Sequence, residues 1–336
     1  MIRTLLTALA LAFSATVAHA QAPTPIFDGL KVIFCGTSGP LPVTGRAKPC
    51  TAIQAGGALY LVDIGPEATE NFMTWRLPVA TAKAVFITHL HSDHIGDLGE
   101  FNLQSWVAGR GQPLAVVGPA GVDKLAKGLN LAYENDHGFR KAHHERGPFK
   151  FDLAAGLLQP KIVTIPKPDG AAVAWKDGDL TVTAIRVHHD PIDPAFAYRF
   201  DYKGRSVVVS GDTIKWAPLA AAAKNADVLI HEAQNNAMTM QMSKGLAALG
   251  NARMSSLMAD TVTYHTEPVE AADLARAAGA KALVLSHLTQ AGLPFFTPEA
   301  FTKGMDDGGR LDWRLAKDGM TIELPAGGSE VRFGSY

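Results

Sequence analysis

The sequence predicts an α/β layered domain, and three observations carry that prediction. Short Val/Ile/Leu-rich runs recur along the chain, each closed by a polar residue or glycine. Stretches with helical spacing separate them. Of the 336 residues 47% are apolar, which suffices for one large core or two small ones.

Taken in order, the first twenty residues read as a secretory leader rather than as part of the fold. Arg3 supplies the charged start, Leu5 to Val17 is apolar, and Ala18-His19-Ala20 is a small-x-small cleavage site. The run is too short to span a bilayer comfortably, Gln21-Ala22-Pro23-Thr24-Pro25 follows as an extended linker, and no other long apolar run occurs. The expectation is a periplasmic or secreted protein, free of the membrane once residues 1–20 are removed, with one mature domain over residues 21–336. Strands are expected at Lys31 to Phe34, Leu59 to Asp63, Ala84 to Thr88, Ser206 to Ser210, Asp227 to Ile230 and Lys281 to Ser286. Helices are expected at Ile95 to Val107, Gly121 to Tyr133, Pro218 to Ala223 and Pro268 to Ala278, the last with Thr266 as its N-cap.

Two segments break the alternation. Residues 134–159 carry His137, Arg140, His143, His144 and Arg146, and residues 234–263 are rich in methionine. Two readings stay open for both, helical insertions that cover an active site and ordinary surface helices, and the methionine-rich segment leans towards the second. Cys35 and Cys50 are the only cysteines; an oxidising compartment permits a bridge between them, and two buried thiols are the alternative. The charge balance of 31 basic against 32 acidic residues excludes a broadly cationic surface, which leans the reading towards a small-molecule substrate.

The chemistry is concentrated in Thr88-His89-Leu90-His91-Ser92-Asp93-His94, where a strand runs into a loop with four ligand-type side chains. No packing requirement demands that crowding, and imidazoles with a carboxylate are a donor set that suits zinc.

This motif resembles the His-x-His-x-Asp-His signature of the metallo-β-lactamase superfamily. Phe34-Cys35-Gly36-Thr37-Ser38-Gly39-Pro40 is similar to the family's first glycine-rich loop. Leu61-Val62-Asp63-Ile64-Gly65 is similar to its next strand, where Asp63 would support a metal-bound histidine. The order Val187-His188-His189-Asp190-Pro191, Phe196-Ala197-Tyr198-Arg199 and Ser210-Gly211-Asp212-Thr213 resembles the ribonuclease Z and arylsulfatase-like branch. Neighbours on a strand face opposite ways, so one of the two histidines can reach a metal, and spacing within the branch favours His189. The resemblance implies a four-layer αββα sandwich in one domain with helical insertions. It places His89, His91 and His189 on one zinc ion, Asp93, His94 and His287 on a second, and Asp212 between them, with iron or manganese as other occupants. Ile230-His231-Glu232-Ala233 and Tyr264-His265-Thr266 resemble two further motifs of the branch. His265 would then donate a proton to the leaving oxygen, oriented by Glu232, with Asp93 the carboxylate of the catalytic pair of metals.

The function so implied is an exported dizinc hydrolase that uses a metal-bridging hydroxide on an anionic small-molecule ester, a phosphodiester or aryl sulfate first, a lactone or β-lactam next. Arg140 and His143 would grip the anion if their segment overhangs the metals. The late cysteine ligand of common metallo-β-lactamases is absent. His91 stands where flavo-diiron oxidoreductases carry a carboxylate, which disfavours iron-dependent redox chemistry. A non-catalytic binding protein would be expected to have lost ligands. The basic arm with which ribonuclease Z grips tRNA is not evident, so tRNA is not expected as a partner, and the oligomeric state is left open.

Overall fold

The computed structural model describes residues 27–336; the expected leader and linker lie outside them. The first half of the chain forms β1 (Gly29–Gly36), β2 (Cys50–Ala55), β3 (Ala58–Val62), α1 (Ala68–Thr74), β4 (Ala82–Phe86), α2 (Ser92–Ile95), α3 (Leu98–Val107), β5 (Leu114–Gly118), α4 (Val122–His144) and β6 (Leu158–Ile162). The second half forms β7 (Ala171–Asp177), β8 (Leu180–His189), β9 (Ile192–Tyr202), β10 (Arg205–Val209), α5 (Ala217–Ala222), β11 (Val228–Ala233), α6 (Asn236–Ala248), α7 (Ala252–Asp260), α8 (Pro268–Ala278), β12 (Ala282–Leu288), α9 (Pro298–Phe301) and β13 (Trp313–Leu315). The last strands, β14 (Met320–Pro325) and β15 (Arg332–Ser335), return to the first sheet.

Two sheets result, ordered β15-β14-β1-β2-β3-β4-β5-β6 and β13-β12-β11-β10-β9-β8-β7. Strands β3 to β6 run parallel to one another, as do β10 to β13, so helices must carry the crossovers. Between the sheets lie Phe34, Tyr60 and Phe86 from one side and Tyr198, Phe200 and Ile230 from the other. The Phe86 ring sits 5.3 Å from those of both Tyr198 and Phe200. Phe72, Phe101 and Val122 pack the outer face of the first sheet, and Leu219, Ala271 and Ala275 that of the second. The architecture is the expected αββα sandwich.

All six expected strands and all four expected helices are present, with shifted ends. The N-cap of α8 is Glu267, one residue later than expected, because Pro268 takes the first helical position and Glu270 completes a reciprocal capping box. The helix expected to end at Tyr133 runs on to His144, so residues 134–144 belong to α4. Residues 234–263 form a helical hairpin, α6 with α7, each capped by an asparagine side chain, Asn235 and Asn251. Among the described residues no helix is long and apolar enough to cross a membrane.

Cys35 and Cys50 form a disulfide that ties the end of β1 to the start of β2. The loop it closes holds Ser38, which pairs with Leu288 at the end of β12 and so joins the two sheets. Closing a 15-residue loop restricts the unfolded chain by about 3 kcal/mol. Replacing both cysteines by serine is therefore expected to lower unfolding free energy by about 2–4 kcal/mol in denaturant melts. A melt unchanged within error would show that the bridge contributes nothing.

Candidate metal centre

Parallel strands bring their carboxyl ends to one edge, and the loops leaving them converge there. The segment His89 to His94 follows β4, His189 ends β8, Asp212 follows β10, and Glu232 and His287 are the penultimate residues of β11 and β12. The centre thus lies between the sheets, with ligand-type groups from both.

The donor atoms form two overlapping sets. His89, His91, His189 and Asp212 have one ligand atom each within 4.8 Å of one another, and so do Asp93, His94 and His287. Asp212 Oδ2 lies 3.4 Å from the Nε2 atoms of His94 and His287 and 3.9 Å from those of His89 and His189. Asp93 Oδ2 is 3.4 Å from His287 Nε2. All are buried except His91, which is exposed.

Neighbouring groups fix which nitrogen of each ring faces the centre. Asp63 Oδ2 accepts from His94 Nδ1 at 2.7 Å and from the Thr88 hydroxyl at 2.8 Å, and its other oxygen accepts from the Thr88 amide. Thr88 Oγ1 lies 3.1 Å from His89 Nδ1. His189 Nδ1 donates to the Tyr264 carbonyl at 3.0 Å. Each of these contacts occupies Nδ1 and turns Nε2 towards the centre, where that of His89 lies 2.8 Å from His91 Nδ1; metal-binding histidines are held in this way.

What remains is a set of buried polar atoms without partners: Nε2 of His94 and His189, both ring nitrogens of His287, and Asp212 Oδ1. Unpartnered buried polar atoms are costly, and converging ones are what a cation satisfies. The residues present fit divalent metal ions.

The charges agree. Burial disfavours ionised Asp212, but the surrounding imidazoles, His287 and His94 foremost, hold its carboxyl well below the usual range. Burial likewise opposes a proton on His287, yet Asp212 and Asp93 outweigh it and push its pKa up to about 9. His89, buried among other imidazoles, is driven the opposite way. A proton on His287 at pH 7 must leave before that nitrogen can ligate. Zinc addition to metal-free protein at pH 7 is expected to release at least one proton, readable as a buffer-dependent enthalpy in titration calorimetry. A heat independent of the buffer would contradict this charge arrangement.

His265 stands beside the cluster, a ring nitrogen within 4.8 Å of ligand atoms of Asp212 and His287. Its Nδ1 is 3.0 Å from Glu232 Oε1, an oxygen that also accepts from the Thr213 and Thr266 amides. Burial lowers the His265 pKa, but Glu232 overcomes it and the net shift is upward. His188 points away from the metals, 3.4 Å from Asp190 and stacked on Trp216, so strand alternation does select His189. His231 is buried and bonded to the Glu232 carbonyl, a structural role.

Arg140 and His143 are not brought to this centre. The start of α4 is beside it, where a Cβ on Gly121 would meet Leu90 at 2.6 Å. Asn130 is already level with the opposite end of the sheet, exchanging hydrogen bonds with Leu158 at the start of β6. Residues beyond it extend away from the metals, and Arg140 pairs with Asp136 on its own helix. The α6–α7 hairpin does begin and end at the centre, leaving just after Glu232 and returning through Tyr264-His265.

Sequence reasoning gave Thr88 and Tyr264 no part. Tyr264 acts through a backbone carbonyl, which carries no residue-type signal. Thr88 was legible only as the residue before His89, although its hydroxyl joins Asp63 to His89.

Residues 59–288 match the model of the beta-lactamase superfamily domain. A ribonuclease Z of Mycolicibacterium paratuberculosis (strain ATCC BAA-968 / K-10) is 32% identical over 265 residues, 78% of this chain and 87% of that protein. The chain belongs to the metallo-β-lactamase superfamily, in its ribonuclease Z branch. Another ribonuclease Z, of Mycobacterium sp. (strain KMS), is 32% identical over 287 residues, 85% of this chain and 88% of that protein. Among solved structures, the short form of human tRNase Z shares the fold with a TM-score of 0.62 at 22% identity, covering 88% of this chain and 99% of that one. The metallo-beta-lactamase fold protein YhfI from Bacillus subtilis has the same TM-score and identity, over 88% and 100% of the two chains.

The superfamily member is a metal-dependent hydrolase, ribonuclease Z-like. Two expectations are corrected by these relatives. The expected exported hydrolase of an aryl sulfate or other small anionic ester gives way to the ribonuclease Z assignment, and so does the expectation that tRNA is no partner. The small-molecule expectation rested on a total charge, which says nothing about where cations gather, and the tRNA expectation on a basic arm that no motif of the sequence announces.

Proposed function

We propose that this chain is a ribonuclease that hydrolyses a phosphodiester bond in RNA of the tRNA type, with two zinc ions in its centre. The observation that carries this reading is the complete set of seven converging donors in a chain 32% identical to proteins named ribonuclease Z.

His89, His91 and His189 would hold one ion and Asp93, His94 and His287 the other, with Asp212 touching both. Zinc suits this donor set; when bound, it supplies a Lewis acid for the phosphoryl oxygens and lowers the pKa of water so that it attacks at neutral pH. Asp63 and the Tyr264 carbonyl keep His94 and His189 turned inwards. Glu232 holds His265 by Nδ1 and favours its protonated form, so the other ring nitrogen presents a proton towards the centre. That proton is placed to pass to the departing oxygen, which makes His265 the general acid.

Asp212→Ala or His94→Ala is expected to abolish cleavage of a precursor tRNA and to reduce bound zinc, with the circular dichroism spectrum retained. Full cleavage by both variants with unchanged metal content would overturn the assignment. His265→Ala is expected to lower kcat by about 10²–10⁴ at unchanged zinc content. A His265→Ala enzyme with normal kcat would remove the general-acid role.

Export is a separate proposal. It is supported by the leader-like residues 1–20 and by the Cys35–Cys50 bridge, which persists best in an oxidising compartment. Fractionation with N-terminal analysis checks it: a mature start at Gln21 is expected outside the cytoplasm. An intact chain in the cytosol would overturn export and leave the RNA reading standing.

A further inference from the structure

Lys127, Asn130, Leu131, Glu134 and His137 recur at intervals of three and four along α4 and so share one face of the helix. With Leu153, Ala154 and Leu157 that face lines a cavity of about 550 Å³, a volume in the range of pockets that take small organic molecules. Leu131, Leu153 and Leu157 are 71%, 39% and 42% exposed. A single exposed leucine needs no explanation, whereas three around one hollow mark a surface with something to bind. Both walls are braced. The Gly156 and Leu157 amides donate to the Leu153 and Ala154 carbonyls in overlapping turns, and Asn102 and Arg110 donate to the Gly156 and Ala155 carbonyls from behind. On the helix side Asn130 exchanges hydrogen bonds with the Leu158 backbone. A hollow built this firmly opposes binding with little ordering cost.

The polar group of this cavity is His137. It is only 3% exposed, and its ring rests 4.6 Å from that of Trp106. Its Nε2 is buried with no hydrogen-bond partner among the described residues. Such an atom is costly, which is why nearly all buried polar groups find a partner. Burial lowers the His137 pKa, so at pH 7 the ring is neutral, with one nitrogen that donates and one that accepts. At the rim stand Lys127 and Glu134, both exposed and opposite in sign, so the mouth selects no net charge.

We propose that this cavity is a second binding site, for an uncharged and largely apolar molecule whose single hydroxyl or N–H group pairs with His137. The leucines supply the apolar contact and the neutral imidazole the one directional bond, the division of labour found in small-molecule pockets. Asn130 fixes its place: Leu158 begins β6, at the end of the first sheet opposite the metals. A ligand held there leaves the metal centre open, and the site does not rest on the ribonuclease reading.

The test titrates the zinc-loaded full chain with N-phenyl-1-naphthylamine, an uncharged diaryl amine with one N–H whose fluorescence rises in apolar surroundings. Saturable binding at a single site is expected, with a Kd of roughly 10 μM for a ligand of this size. 1-Benzylnaphthalene, which carries a methylene in place of the N–H, is expected to displace it about fivefold more weakly. Leu131→Glu alters an exposed side chain and is expected to raise the Kd for both molecules about tenfold, at unchanged Tm and zinc content. His137→Phe keeps a ring in place without its nitrogens and is expected to bring the two molecules to equal affinity. No saturable binding by the wild type, or an unaltered Kd in Leu131→Glu, would overturn the site. Equal affinity of the two molecules for the wild type would overturn the pairing with His137. Each of these readings is made on the wild type or on Leu131→Glu, so the proposal stays testable even if His137→Phe fails to fold.

Discussion

Asp212 is the group on which the rest of the centre depends. A carboxylate this deeply buried needs compensation, and four imidazoles lie within 3.9 Å of its Oδ2. Three of those rings are held from behind, those of His94, His189 and His89. Asp63 holds one, Tyr264 another, and Thr88 borders a third. The backbone accepts unusual conformations to achieve this: Asp63 and His287 both have left-handed φ angles, 57° and 49°, at the points where strands break into the site. Stability elsewhere, in the closely packed layer between the sheets, sustains that arrangement.

Much of the architecture was legible because it is written in local patterns. The parallel strands β3, β4, β10, β11 and β12 each contain an unbroken apolar stretch, and α8 carries its own proline and capping signals. Edge strands were not legible. In β6 four of five residues are exposed, so Leu158–Ile162 has no apolar signature and is a strand only because β5 offers it a free edge. The end of α4 was misjudged for a related reason: it leaves the core, and the amphipathic period that marks a helix fades with it.

The site shows the same division. His89, His91, Asp93 and His94 announce themselves by crowding, while His189, Asp212 and His287 gained meaning through resemblance and gained proof of convergence only from the fold. The position of Arg140 and His143 could not be read at all. A cluster of cations says that an anion is wanted, but which end of a 23-residue helix stands beside the metals is a matter of strand direction.

One consequence follows from where the donors originate. The loop from His89 to His94 belongs to the first sheet, whereas His189, Asp212 and His287 belong to the second. Bound cations would therefore clasp the two halves of the sandwich, adding a cross-link that the apolar layer alone does not provide. Ligands that bind only the folded state stabilise it by mass action. Metal starvation would then do more than silence the enzyme: it would loosen the seam and expose the idle chain to proteolysis, so that supply of the ion sets how much protein persists as well as how fast it works.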